Sequence, residues 1–97
     1  KTNKGVVKMN NEKYNGWANY ETWNVALWYN NDEAIHKKLS RFIRSVEPEE
    51  INDETAAEIV IGIFENFGSK KTSDGVELKS KAINWFEIAE DLREWIS

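Results

Sequence analysis

The 97-residue sequence has no cysteine, one histidine, one proline and one methionine. Without cysteine there is no disulfide and no thiolate metal site, and a reducing compartment fits. Nucleophilic catalysis would fall to serine or threonine, with His36 the sole base of the usual kind. No serine sits in a Gly-x-Ser-x-Gly elbow. The five glycines (Gly5, Gly16, Gly62, Gly68, Gly75) are scattered, so no phosphate-cradling loop is present. No apolar run approaches the roughly 18 residues of a membrane span, and the N-terminus lacks a signal-peptide core. These absences predict a cytoplasmic protein that is neither an enzyme nor a cofactor or metal carrier, and that has no membrane partner.

What the chain has is aromatic weight. Hydrophobic residues make up 40 % of it and aromatics 12 %, enough for a folded globule despite a mean hydropathy of −0.69. Three of the five tryptophans (Trp17, Trp23, Trp28) and two of the three tyrosines (Tyr20, Tyr29) lie between Asn15 and Asp32. Asn19 is a natural N-cap for a helix over this stretch, since its side chain can accept from an amide two or three residues on. Tyr20, Trp23, Ala26, Leu27 and Asn30 then share one face and Val25 and Trp28 another. An arc this wide exceeds what one partner helix needs, so Trp17, Trp28 or Tyr29 is expected at the surface.

Three further helices follow from caps and periodicity. Ile35, Leu39, Phe42, Ile43 and Val46 form a stripe over about Asp32 to Val46, and Pro48 ends it. A third helix runs from about Asp53 to Phe67, where Ile59-Val60-Ile61 is the most strand-like window. Residues 68–79 read as a loop with turn chemistry at Ser73-Asp74-Gly75. Asn84, with Glu87 three residues later and Ile83 and Ile88 in staple positions, signals a capping box for the last helix. The expected fold class is all-α: a single small domain of about four helices over residues 16–97, preceded by an N-terminal arm over 1–15.

Asn19-Tyr20-Glu21-Thr22-Trp23-Asn24-Val25-Ala26-Leu27-Trp28, followed by Asn30-Asn31-Asp32-Glu33, resembles a motif in small uncharacterised proteins of phages and other mobile elements. Ile83-Asn84-Trp85-Phe86-Glu87-Ile88-Ala89-Glu90 is similar to the C-terminal segment of the same group. The resemblance covers about a third of the chain and implies a genomic setting; it carries no catalytic or ligand assignment.

The net charge of −4 is unevenly spread. Lys1, Lys4, Lys8 and Lys13 stand against Glu12 alone, and Lys37, Lys38, Arg41 and Arg44 have no acid among them. From Glu47 to Glu65 seven acids follow without a base. The simplest expectation is that these blocks pair within the domain. Glu33-x-x-His36 has the spacing used in di-iron bundles, but a boundary histidine explains it better, since such a site needs two of these motifs.

Two functions fit this inventory. The preferred one is a protein-binding module contacting its partner through Trp17, Tyr20, Trp28, Tyr29, Glu49, Glu50 and Glu54, because Trp and Tyr dominate binding hot spots. With the mobile-element resemblance, the expected partner is a host protein that is inhibited or redirected, an anti-CRISPR or other anti-defence inhibitor being one case. The alternative is nucleic-acid binding by Lys37, Lys38, Arg41, Arg44 and the arm; a sequence pI near 5.0 stands against it.

Overall fold

A computed structural model describes residues 14–96. The arm over 1–15 therefore lies outside the described residues, except for Tyr14 and Asn15. These two begin a tight turn: Tyr14 and Trp17 exchange backbone hydrogen bonds of 2.6 and 2.9 Å. Asn15 (φ 51°) and Gly16 (φ 90°) occupy the two left-handed positions such a turn requires, which Asn-Gly adopts at little cost. The arm boundary expected after residue 15 thus falls inside a turn.

Four helices follow: α1 (Tyr20–Asn31), α2 (Glu33–Ile43), α3 (Asp53–Asn66) and α4 (Trp85–Glu94). Successive helices pack on one another, most extensively α3 on α4, and α4 returns to α1 to close the bundle. The all-α expectation holds, and Ile59-Val60-Ile61 lies inside α3. The core draws Val25 and Tyr29 from α1, Leu39 and Ile43 from α2, Val60 and Phe64 from α3, and Ile88 and Leu92 from α4.

Each helix starts on a side-chain cap. Asn19, Asp32, Asn52 and Asn84 accept from the amides of Thr22, Ile35, Thr55 and Glu87 respectively, satisfying donors that a helix start leaves without partners. The α1–α2 junction is tight. Asn30 and Asn31 remain helical, bonding back to the carbonyls of Ala26 and Leu27, and Asp32 both ends α1 and caps α2. α2 stops at Ile43, short of Val46, and Pro48–Glu50 form one 3-10 turn before α3. Gly68, at φ 82°, ends α3 with Ser69 N–H on Phe64 O and Gly68 N–H on Glu65 O, the paired bonds of a left-handed helix stop.

The loop after α3 is anchored. Thr72 and Val76 pair across a turn at Gly75 (φ 94°), and Val76 and Leu78 are buried.

Candidate interaction surfaces

The polar residues of α1 bind the distant C-terminal half of the chain. Thr22 and Asn24 are fully buried. The Asn24 amide donates to Asp74 at 2.8 Å and its carbonyl accepts from the Thr72 hydroxyl at 2.6 Å. Trp28 donates from its indole nitrogen to the same Asp74 oxygen at 2.8 Å. These two donors hold the Asp74 carboxyl below its ordinary value, Asn24 contributing most. At the other end of α1, Thr22 accepts from the Asn84 amide, and the Asn19 side chain donates to Ala82 O. Glu87 accepts from the Ala18 amide at 2.8 Å. The expected capping box is thus half used: Asn84 caps Glu87, but the Asn84 amide goes to Thr22 rather than back to Glu87.

Tyr29 corrects an expectation. It is fully buried and donates to Asp91 at 2.7 Å, so it is a core residue and offers no surface to a partner. Burial, and then the Asp91 carboxylate, push its phenol well above the ordinary range. Asp91 itself is raised by burial, with the Tyr29 bond opposing. The expected inward face of α1 is also rotated: Thr22, Val25, Ala26 and Tyr29 line the core, while Trp23 and Leu27 are half-buried and Tyr20 is exposed. Hydrogen-bond partners for Thr22 and Asn24 made this face buriable, which apolarity alone could not reveal. Trp17 and Trp28 are half-buried, packed against the core.

What remains outward on α1 is an aromatic corner. Tyr14 and Tyr20 are 42 % and 39 % exposed. Their ring centroids lie 5.5 Å apart edge to face, and Trp23 lies 4.9 Å from Tyr14 and 5.6 Å from Tyr20. Each ring limits the rotamers of the other two, and the Asn15-Gly16 turn positions Tyr14. Beside the corner is a hollow of about 430 Å³ that Tyr20 shares with Glu21, Asp74 and Glu77, and among the described residues no basic one lines it.

A second surface lies between α2 and α3. Phe42, expected in the core stripe, is 48 % exposed. It forms one wall of an open groove of about 860 Å³ with Lys38 and Val46; Ile59, Gly62 and Glu58 of α3 form the other. Glu50 and Asn52, from the connector, close one end.

The remaining predicted residues are on the surface. Glu49, Glu50 and Glu54 are exposed, as are Lys37, Lys38, Arg41 and Arg44. Of the expected pairing of the charge blocks, Lys1, Lys4, Lys8 and Lys13 lie outside the described residues; among the described residues no ion pair joins residues 37–44 to the acids of 47–65. Lys37 pairs instead with Glu33, 3.7 Å away on its own helix. His36 lies against the Trp95 ring with Nδ1 3.3 Å from Tyr29 O, and no group of three or more potential metal ligands occurs among the described residues. No helix among them is long and apolar enough to cross a membrane.

Fold and surfaces together define a small four-helix protein whose outward features are an aromatic corner and a charged apolar groove. The chain belongs to a family of unknown function, DUF7249, whose model matches residues 10–96. No curated protein and no solved structure matches it.

Proposed function

We propose that the chain is a non-enzymatic protein-binding module that presents the Tyr14–Tyr20–Trp23 corner to a partner protein. The observation that carries this reading is three aromatic rings held against one another with the two tyrosines open to solvent. Aromatic side chains already restricted in rotamer lose little entropy on binding and supply most of the energy at hot spots. The carboxylates of Glu21, Asp74 and Glu77 favour a partner carrying lysine or arginine beside its apolar contact.

With the mobile-element resemblance of the α1 and α4 motifs, the partner is a host protein in the cytoplasm and the effect is inhibition or redirection. An inhibitor of a CRISPR nuclease or another defence system is one such case. The exposed acids Glu49, Glu50 and Glu54 add negative charge where a host surface made for phosphates would meet it.

The rival reading, phosphate contact by Lys37, Lys38, Arg41 and Arg44, has the exposure of all four in its favour. Against it, Glu33 engages Lys37, and Glu50 and Glu58 line the same groove as Lys38. Capture from host extract with wild type and Tyr20→Ala separates the two. A corner-binding protein is lost with Tyr20→Ala; nucleic acid captured equally by both would overturn the proposal.

A further inference from the structure

We infer that the α2/α3 groove is the seat of a two-fold homodimer in which each copy lays its α2 ridge into the groove of the other. The inference is independent of the aromatic corner and rests on the groove's shape and charge.

Its floor is apolar and open. Phe42 from α2, Val46 from the segment after it and Ile59 from α3 line it, and Phe42 leaves nearly half its surface in water. Gly62 lines the same groove one turn of α3 beyond Ile59, and a Cβ placed on it would meet nothing within 4 Å. The α3 wall therefore has a notch in the same groove as the exposed Phe42. A second copy fills the notch with its own Phe42.

The charges explain why that occupant is another copy. The groove is lined in turn by α2, by Glu50 and Asn52 of the connector and by α3, so the chain doubles back along it. Residues 47–52 therefore close one end of the groove and place Glu50 there. Lys38 lies one turn of α2 before Phe42, about 6 Å at 1.5 Å per residue, on the side away from the connector, and so marks the opposite end. Lys38 is thus the basic end, Glu50 the acidic end, and Glu58 reinforces the acidic half. A two-fold axis across the groove exchanges its ends, bringing Lys38 of each copy over Glu50 of the other. A surface that is basic at one end and acidic at the other, with an apolar centre, complements itself under that rotation, the symmetry most soluble dimers adopt. Among the described residues no ion pair joins residues 37–44 to the acids of 47–65, so Lys38 and Glu50 face no intrachain partner from the other block.

Sedimentation velocity of the full chain, across concentrations up to about 500 µM, tests this by mass action. The expected species is a dimer of twice the 11.3 kDa chain mass, weakening as salt is raised. Phe42→Glu is expected to be monomeric at every concentration, with a wild-type circular dichroism spectrum because Phe42 lies outside the core. Lys38→Glu and Glu50→Lys should each weaken association at least about tenfold, and the double exchange should restore it. A wild type that stays monomeric throughout overturns the inference. So does a dimer that survives Phe42→Glu, or a charge exchange that fails to rescue.

Discussion

The Thr72 hydroxyl donates to the Asn24 side-chain carbonyl at 2.6 Å, across 48 residues of sequence and inside the protein. This bond, with those from Asn24 and Trp28 to Asp74, fastens the loop before α4 to the middle of α1. Removing one partner leaves the other buried and unsatisfied, at a cost of about 1–3 kcal/mol. Asn24→Leu and Thr72→Val should each lower urea-unfolding stability by that amount. The double variant should lose less than the sum, since neither polar group is then stranded. Independent, additive losses would show that the pair does not act as a unit.

Asp74 gives the fastening a pH dependence. Its carboxyl is held below the ordinary value by two hydrogen bonds, so the unfolded chain takes up a proton before the folded one does. Its contribution is fully present above the unfolded pKa, about 3.9, and is lost as pH falls through the lower folded value. The stability gap between wild type and Asp74→Asn should therefore close below about pH 4. Acid titration of both proteins by tryptophan fluorescence measures it, and a gap constant down to pH 2 would contradict the assignment.

At the alkaline end the sensitive group is Tyr29. Its phenol is raised, so the folded chain keeps a proton that the unfolded chain releases near pH 10. The sign is opposite to that of Asp74: stability is intact below pH 10 and falls as pH rises towards the folded value. Tyr29→Phe should cost about 1 kcal/mol at neutral pH through the lost bond to Asp91, and should flatten the alkaline decline. Phenolate absorbance should show Tyr29 ionising only with unfolding.

The helices were legible because their starts are chemical. Asn19, Asp32 and Asn84 are short polar side chains placed just before apolar periodicity, and all three cap. The inward face of α1 was not legible, because two of its buried positions are Thr22 and Asn24, whose partners are Asn84, Thr72 and Asp74. Nothing local to α1 announces those partners. The available signal was Asn24 itself, a poor helix former set among apolar neighbours, where only a tertiary bond compensates it. Phe42 was misplaced for the converse reason. Stripe membership follows from periodicity, but exposure depends on whether α3 offers a covering side chain, and α3 lines the same groove partly with Gly62, which has none. The aromatic corner depends on Tyr14, which reaches α1 only through the Asn15-Gly16 turn.

The groove and the corner should also be separable by mutation. Phe42→Glu is expected to abolish self-association while leaving capture through Tyr20 intact, and Tyr20→Ala the reverse. Analytical ultracentrifugation beside capture on the same four proteins (wild type, each single variant and the double) reads this out. Loss of both properties from either single variant would merge the two surfaces into one.

Paired melting and capture of Tyr20→Ala and Trp28→Ala separates the two tasks proposed for the aromatics of α1, holding the fold and meeting a partner. Tyr20→Ala should melt within about 4 °C of wild type, as surface changes do, and lose the captured host protein. Trp28→Ala should lose about 2–4 kcal/mol of stability through its packing and its bond to Asp74. At temperatures where it is still folded, Trp28→Ala should keep the captured protein. A Tyr20→Ala variant that retains capture while Trp28→Ala, still folded, loses it would contradict the account.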